Sequence, residues 1–171
     1  ISALEVSIGK KITHIACGEA GGINSMFPIV AAAERGIPLI DADGMGRAFP
    51  ELQMLIPALE GISATPMSLT DEKGNTLLIN AISSHVGEQF ARNATIQMGA
   101  MATMALYPME GNQIAKVMVP DTLSLAYQIG VAVEKARLIH ADPVMAIVKE
   151  MKGFLLFKGG EGIKAPFFNL L

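Results

Sequence analysis

Two short apolar runs with a helix-length segment between them constrain the fold of this chain more than any other feature. Residues 13–17 and 37–40 have the length and composition of buried strands. Residues 25–35 repeat apolar side chains at helical spacing, and Gly36 is the residue type that most often ends a helix. A strand, a helix and a second strand in this order are typical of a βαβ unit with parallel strands. We therefore predict an α/β fold, with a parallel or mixed sheet and flanking helices.

The rest of the chain predicts further helices and strands around this unit. Residues 41–50 are expected to form a loop. Pro50 suits the first turn of a following helix that runs to about residue 59, and Pro57 would end or kink that helix. The turn-forming residues 71–75 predict a β-hairpin. The other predicted elements are, in chain order, a helix end within residues 1–10, the hairpin strands 66–69 and 76–80, a helix capped by Ser84 that runs to about residue 98, a strand within residues 100–107, helices that start at Thr122 and Asp142, and a strand at residues 154–157.

The composition indicates a chain whose surface is partly covered. Charged residues make up only 17% of it and the mean hydropathy is +0.42, whereas an average soluble domain has about 25% charged residues. Further chain or partner subunits would provide such a cover, so we expect a fragment of a larger multidomain protein that either forms a homo-oligomer or binds another protein. A change in composition near residues 99–111 predicts a domain boundary there. The glycine-rich residues 159–162 are expected to be a loose tail.

Charge and hydropathy argue against several classes of partner. The net charge is −3 and no basic run occurs, so a nucleic-acid partner is not expected. No uncharged apolar stretch reaches the roughly 18 residues of a membrane span. A single cysteine cannot form an internal disulfide, which fits a reducing compartment. Because the first residues also lack the basic start of a signal peptide, we expect a cytoplasmic protein without nucleic-acid or membrane partners.

The first candidate site is the glycine-rich turn after the first predicted strand, residues 19–24 (EAGGIN). In open α/β sheets, ligands bind beyond the carboxyl ends of the strands. Gly21 and Gly22 allow a ligand to approach the backbone closely, and the free N–H groups of the next helix favour an anion. An ordinary tight turn with Asn24 or Ser25 as the helix cap explains the same residues, so both interpretations are open.

The second candidate site follows the second strand of the same unit, at residues 41–51 (DADGMGRAFPE), and should open onto the same edge of the sheet. Asp41 and Asp43 can hold a divalent cation or divide acid and base roles, and Arg47 can bind a carboxylate or polarise a carbonyl group. Glu51 lies in the first turn of the next predicted helix. Alternatively, both aspartates bond to backbone groups and Arg47 pairs with one of them. We favour the functional interpretation, because unpaired charges are costly to bury and this cluster lies among apolar runs.

Two further features have common structural explanations. His85, Glu88 and Arg92 share one face of a predicted helix, where a histidine and a glutamate could ligate a metal. A solvated ion-pair face is the more common arrangement. Cys17, two residues before Glu19, is a candidate nucleophile, although a buried and inert cysteine is the commoner case.

The residues of both candidate sites resemble a known family. Residues 19–25 (EAGGINS) and 36–54 (GIPLIDADGMGRAFPELQM) are similar to the signature of the S-methyl-thiohydantoin desulfurase family, formerly a domain of unknown function found near hydantoinases and oxoprolinases. Shorter segments further along the chain resemble the same family: 71–75 (DEKGN), 98–99 (MG), 107–109 (YPM) and 122–130 (TLSLAYQIG). The resemblance implies that residues 1–99 are the C-terminal part of the family's N-terminal α/β domain. Residues 100–171 would then be an incomplete beginning of its C-terminal domain.

The resemblance implies hydrolysis of a hydantoin-like cyclic compound of the S-methyl-thiohydantoin type. We expect Glu19, Asp41 and Asp43 to be the acid/base set, with or without a divalent metal. The residues expected to bind and orient the substrate are Gly21, Gly22, Asn24, Arg47 and Glu51. Replacing Asp43 with asparagine would then remove turnover without unfolding the protein. The alternative is a non-catalytic subunit that binds a small metabolite beside a hydantoinase-type partner.

Overall fold

The computed structural model describes residues 1–157 and shows an α/β protein, as the sequence predicts. Its strands form two three-stranded sheets, one mixed and one antiparallel, with helices around them. None of the helices in this range has both the length and the hydropathy of a bilayer-spanning helix. The chain divides into two compact units, Ile1–Leu123 and Ser124–Leu171. Both sheets and all the predicted site residues belong to the first unit.

The predicted βαβ unit is confirmed in the mixed sheet. The chain begins with α1 (Ser2–Ile8), β1 (Ile15–Cys17), α2 (Gly22–Arg35) and β2 (Leu39–Asp43). β1 and β2 pair in parallel, and α2 connects them. Gly36 ends α2 in the left-handed conformation with φ at 63°, as glycine readily does. α2 begins at Gly22, earlier than predicted, because Gly21 takes the extended backbone conformation of a helix N-cap.

The apolar face predicted for α2 forms but stays exposed. Met26, Ile29 and Val30 are 57%, 42% and 49% exposed, whereas Ala32 is buried. This face contributes to the exposed apolar surface that the composition indicates.

The segment predicted as one helix from Pro50 onwards forms two short helical pieces instead. They are a 3₁₀ turn at Leu52–Met54 and α3 at Ile56–Leu59. Leu55 separates them with extended backbone angles, and its buried side chain joins the core. Pro57 lies in the first turn of α3, where the missing N–H costs nothing. The proline therefore starts this helix rather than ending it.

The predicted β-hairpin is confirmed in the antiparallel sheet. The strands of this sheet are β3 (Met67–Thr70), β4 (Thr76–Ile79) and β5 (Thr103–Ala105). β3 is central and pairs with both neighbours. Asp71 shapes the hairpin turn, because its carboxylate accepts the N–H groups of Lys73 and Asn75.

A helix of the predicted length, α4 (Ser84–Gln97), packs on this sheet. Its cap is Ser83 rather than Ser84: the Ser83 hydroxyl accepts the N–H of Val86. The Ser84 hydroxyl instead accepts the N–H of Ala64 at 3.0 Å, a contact between the start of α4 and the segment before β3.

The core lies between this sheet and α4, and one glycine sets their distance. A Cβ atom on Gly87 would lie 2.9 Å from Cγ2 of Thr65 and 3.0 Å from Cε of Met67. The missing side chain therefore lets α4 lie close to β3. The buried members of this core are Leu55, Ala64, Met67, Leu69, Ile79, Ala91 and Tyr107.

The prediction that residues 41–50 form a loop is wrong for the first part of that range. Two elements that the sequence did not predict follow β5 in the chain: α5 (Gly111–Val117) and β6 (Val119–Pro120). β6 pairs antiparallel with the end of β2, so β2 extends through Asp43 and the loop begins only at Gly44. The pairing partner is distant in sequence, which is why local patterning does not reveal it.

Two helices make up most of the described part of the second unit. α6 (Thr122–Leu138) starts at the end of the first unit, and α7 (Pro143–Glu150) follows Asp142, whose side chain caps it, as predicted. Residues 154–157 belong to neither sheet, so the prediction of a strand there is wrong. The predicted tail at residues 159–162 lies outside the described residues.

Candidate functional site

The two predicted loops meet at the carboxyl ends of β1 and β2, and Asp43 joins them. Its side chain is 0% exposed. Oδ2 accepts the N–H of Ala20 at 2.5 Å, and Oδ1 accepts the N–H groups of Gly46 at 2.6 Å and Met45 at 3.4 Å. This aspartate therefore bonds to backbone groups, the alternative considered for this loop. A catalytic role for Asp43 stays a prediction, and it would require the loops to move, since water does not reach the carboxylate in this arrangement.

Glu19 forms a second link between the same loops. Its Oε1 accepts the Nδ2–H of Asn24 at 2.6 Å, and its Oε2 accepts the N–H of Phe49 at 2.6 Å. Unlike Asp43, Glu19 is only partly buried, and each carboxylate oxygen has a further lone pair. The Glu19 carboxylate can therefore still accept a hydrogen bond from water or a ligand. Asn24, expected to orient a substrate, orients Glu19 in this arrangement.

The start of α2 lies in the loop that carries these carboxylate contacts. Gly21 is the N-cap residue, and no side chain caps the helix. The N–H of Gly21 bonds to Oγ of Ser25 at 3.1 Å. The N–H groups of a first helical turn have no partner inside the helix and carry its positive partial charge. A Cβ atom on Gly22 would meet open space, so a ligand has room to approach this turn.

Asp41 in β2 and Arg47 in the loop that follows this strand are both exposed. Oδ1 of Asp41 accepts the N–H of Leu123 at 3.0 Å, in the first turn of α6. The guanidinium carbon of Arg47 lies 5.2 Å from the centre of the Phe49 ring, a cation–π contact. Arg47 therefore presents its positive charge at the loop surface.

The aspartate pair does not fit a divalent cation in this arrangement. The oxygens of Asp43 face backbone N–H groups, and Oδ1 of Asp41 faces that of Leu123. A hard cation needs several oxygen ligands that converge on it. Within residues 1–157, no group of three or more His, Cys, Asp or Glu side chains is placed to hold a metal ion. No metal-dependent step is therefore assigned to this site.

Cys17 lies at the same strand end but is enclosed. Its side chain is 0% exposed and its Sγ donates to the carbonyl oxygen of Glu19 at 2.9 Å. Burial is the main cause that raises the pKa of this thiol. We expect iodoacetamide to alkylate Cys17 at least about 100-fold more slowly in the folded chain than in urea, because the reaction has to wait for local opening. Mass spectrometry over time would measure both rates on the single cysteine, and equal rates would show an accessible thiol.

His85, on the predicted helix face at the start of α4, forms a polar cluster with its neighbour Gln89 and with residues that precede it in sequence. Nε2 of Gln53 donates to Oε2 of Glu51 at 2.5 Å and lies 3.4 Å from Nδ1 of His85. On the other side of the ring, Nε2 of His85 lies 3.3 Å from Nε2 of Gln89. We name Glu51, Gln53, His85 and Gln89 the His85 cluster. Glu51, expected to bind the substrate, contacts Gln53 in this arrangement.

α4 holds the segment that carries Glu51 and Gln53. Oε2 of Glu88 accepts the N–H of Leu52 at 3.2 Å, and Oε1 accepts a hydrogen bond from Arg92 at 2.5 Å. Arg92 also donates to the carbonyl oxygen of Pro50 at 3.0 Å. The predicted ion pair exists and its face is solvated only in part, since His85 and Arg92 are exposed but Glu88 is 8% exposed.

Sequence reasoning missed one glycine of the site. A Cβ atom on Gly44 would lie 2.7 Å from the carbonyl oxygen of Gly18. The N–H of Gly44 donates to that oxygen at 2.9 Å, and the carbonyl oxygen of Gly44 accepts the N–H of Ile56 at 2.9 Å. The only sequence signal for this role is the glycine-rich composition of the loop.

Two family models together match nearly the whole chain. The S-Me-THD-like N-terminal domain matches residues 1–81, and the S-Me-THD-like C-terminal domain matches residues 82–160. The chain belongs to the S-Me-THD-like family. The resemblance read from the sequence is thereby confirmed. Both candidate loops lie in the N-terminal domain of this S-Me-THD-like protein, whereas the His85 cluster has members in each domain.

A solved structure supports the fold of the S-Me-THD-like chain. It is the crystal structure of a protein from Chromobacterium violaceum, with a TM-score of 0.76 and 28% sequence identity, and the match covers 88% of this chain. The chain spans 42% of the length of that protein. No curated protein matches the chain. The two family models meet between residues 81 and 82, and the boundary expected after residue 99 stays a prediction.

Proposed function

We propose that this chain contributes the loop site of a hydrolase that acts on a hydantoin-like cyclic compound of the S-methyl-thiohydantoin type. Membership of the S-Me-THD-like family supports a hydantoin-related activity. The observation that carries the proposal is the junction of two loops at the carboxyl ends of parallel strands. Glu19 and Asp43 bridge these loops at the start of α2. Ligands bind at such strand ends in open α/β sheets.

The proposed reaction replaces sulfur by oxygen at one ring carbon. Water adds to the carbon that carries the S-methyl group, so that a C–O bond forms and the C–S bond breaks. One proton of the water ends on the departing sulfur, which leaves as methanethiol, and the other ends on the ring nitrogen. Glu19 accepts the first proton from the water, because its side chain is only partly buried and each carboxylate oxygen keeps a further lone pair. Arg47 and the N–H groups at the start of α2 stabilise the negative charge that develops on the ring.

The other candidate residues support this arrangement. Asp43 holds the two loops together, and Asn24 holds Glu19. Gly21 and Gly22 leave the start of α2 open to the substrate. Asp41 in β2 is an exposed carboxylate and is the second candidate for proton transfer.

A metabolite-binding subunit without catalytic activity is the alternative function. The burial of Asp43 and Cys17 favours it, since both groups are withheld from a ligand.

A hydantoinase-type partner, self-association and a cytoplasmic location are further proposals. Co-purification would test the partner, the mass of the protein in solution would test self-association, and localisation in cells would test the location.

We expect Glu19→Gln in the full-length protein to lower kcat for an S-methyl-thiohydantoin by at least about 100-fold, the usual lower range of general acid–base catalysis. Headspace gas chromatography would measure the methanethiol released. Glu34→Gln is the matched control, because Glu34 is exposed on α2, and it should keep wild-type turnover. Unchanged turnover in Glu19→Gln would contradict its role. A wild-type protein that gains melting temperature with this compound but releases no methanethiol would favour the binding subunit.

A further inference from the structure

The contacts of the His85 cluster fix which imidazole nitrogen carries the proton. A carboxylate only accepts hydrogen bonds, so the Gln53 atom that lies 2.5 Å from Oε2 of Glu51 is the amide nitrogen. The same nitrogen has a second hydrogen and lies 3.4 Å from Nδ1 of His85. Nδ1 is then the acceptor, and the proton of the neutral ring is on Nε2. The amide nitrogen of Gln89 lies 3.3 Å from Nε2, and two donors do not bond to each other. Because Gln89 is exposed while Glu51 holds the Gln53 amide, the Gln89 amide is the one that has to turn, so that its Oε1 accepts this proton.

The partners on the Nδ1 side are held in place. Glu88 accepts the N–H of Leu52 at 3.2 Å, and the Tyr107 hydroxyl donates to the carbonyl oxygen of Leu52 at 2.6 Å. Leu52 lies between Glu51 and Gln53 in sequence, so these bonds fix the backbone of both. The Nε2 side differs, because its neighbour Gln89 is an exposed side chain one turn along α4. A ligand can displace that side chain at little cost.

We propose that His85 donates a hydrogen bond from Nε2 to a carbonyl oxygen of a cyclic amide or imide ligand. Glu51 and Gln53 are positioning residues, which act through the ring by keeping its proton on Nε2. This inference rests on the proposed function, since the ring of an S-methyl-thiohydantoin offers one such oxygen and that of its hydantoin product offers two. A neutral imidazole polarises a carbonyl group without giving up its proton, so the step needs no co-reactant.

The position of the cluster agrees with a role at a shared site. Glu51 and Gln53 belong to the matched N-terminal domain of the family, and His85 belongs to the C-terminal one. The loop residues 44–51 connect Asp43 to Glu51 directly. The Oε2 atom of Glu19 accepts the N–H of Phe49, two residues before Glu51. The loops and the His85 cluster are therefore joined by a short segment of chain.

The first test measures the proton position in this chain without any ligand. Nitrogen-15 NMR at a pH of about 8.5, where an ordinary histidine is neutral, should show His85 protonated on Nε2. The double variant Glu51→Gln/Gln53→Glu keeps the net charge but places a carboxylate at Nδ1, and it should move the proton to Nδ1. Gln89→Ala is the control and should leave the proton on Nε2. A wild-type proton on Nδ1 would overturn the inference.

The second test asks whether the proton position affects binding. Hydantoin is the probe, titrated into the wild type, the double variant and His85→Gln, which retains an N–H donor. We expect shifts at the ring of His85 and at residues 41–47, a Kd about 10-fold weaker in the double variant and a smaller loss in His85→Gln. Shifts at residues 41–47 alone, with equal Kd in all three proteins, would overturn this inference and leave the proposed function standing. Shifts at neither place would overturn both.

Discussion

Asp43→Ala is expected to lower the free energy of unfolding by at least about 3 kcal/mol. Hydrogen bonds to a charged group contribute about 1.5–3 kcal/mol each, and removing the acceptor also leaves the buried donors without a partner. The carboxylate is 0% exposed and accepts N–H groups from Ala20, Gly46 and Met45. In the alanine variant, these N–H groups lose their acceptor inside the protein. Urea unfolding followed by far-UV circular dichroism would measure the change, since the chain has no tryptophan.

Asp41→Ala provides the control for this experiment. Asp41 is two residues away on the same strand, but it is exposed and bonds to the N–H of Leu123 at a helix start. Such a contact contributes about 1 kcal/mol, so this variant should be clearly more stable than Asp43→Ala. Equal losses in the two variants would contradict the role assigned to the buried carboxylate.

Asp43→Asn separates the structural role from a chemical one. Asparagine keeps the shape, but its amide nitrogen would face either Ala20 or Gly46, each of which is a donor. We therefore expect a loss of stability as well as of turnover, whereas the sequence alone predicts a loss of turnover only. Turnover has to be compared at a temperature where both proteins are folded. A variant with wild-type stability would show that the loops tolerate an amide there.

The sequence predicts those parts of the site that depend on local patterning. The βαβ unit follows from apolar spacing and from Gly36, and these place both candidate loops at one edge of the sheet. The hairpin follows from the turn residues near Asp71. The family follows from the residues of the two loops, and the family models agree with it.

The parts that the sequence does not predict depend on contacts between distant residues. β2 extends to Asp43 because this residue pairs both with Cys17 of β1 and with Val119 of β6, some 75 residues later. Glu88 is buried because Leu52 and its neighbours cover it, although its spacing with Arg92 is ordinary for an exposed helix. Charge alone likewise gives Asp43 and Glu19 equal claims to catalysis. Both bridge the two loops, but Asp43 is fully buried and Glu19 only partly, a difference that only the tertiary structure supplies.

Gly44→Ala is expected to lower the free energy of unfolding by about 3 kcal/mol, near the upper end of the cost of overpacking. Its Cβ atom would lie 2.7 Å from the carbonyl oxygen of Gly18, a backbone atom that cannot move aside alone. Relief of that contact would lengthen the 2.9 Å hydrogen bond from Gly44 to Gly18 and separate the two loops. Thermal and urea unfolding would measure the loss.

Alanine variants of two other glycines are the controls for this prediction. Gly87→Ala also meets close atoms, Cγ2 of Thr65 at 2.9 Å and Cε of Met67 at 3.0 Å. The Met67 methyl group can rotate aside, whereas the Thr65 hydroxyl bonds to Ala81 and keeps its side chain in place, so this variant should cost about 2 kcal/mol. Gly22→Ala meets nothing within 4 Å and lies in a helix, so it should be neutral or stabilise by up to about 1 kcal/mol. The expected order of stability is therefore Gly22→Ala, then Gly87→Ala, then Gly44→Ala. Equal stability of Gly44→Ala and Gly22→Ala would contradict this prediction. It would mean that the two loops can move apart despite the hydrogen bonds of Asp43 and Glu19, so that the site would not hold a substrate in one orientation.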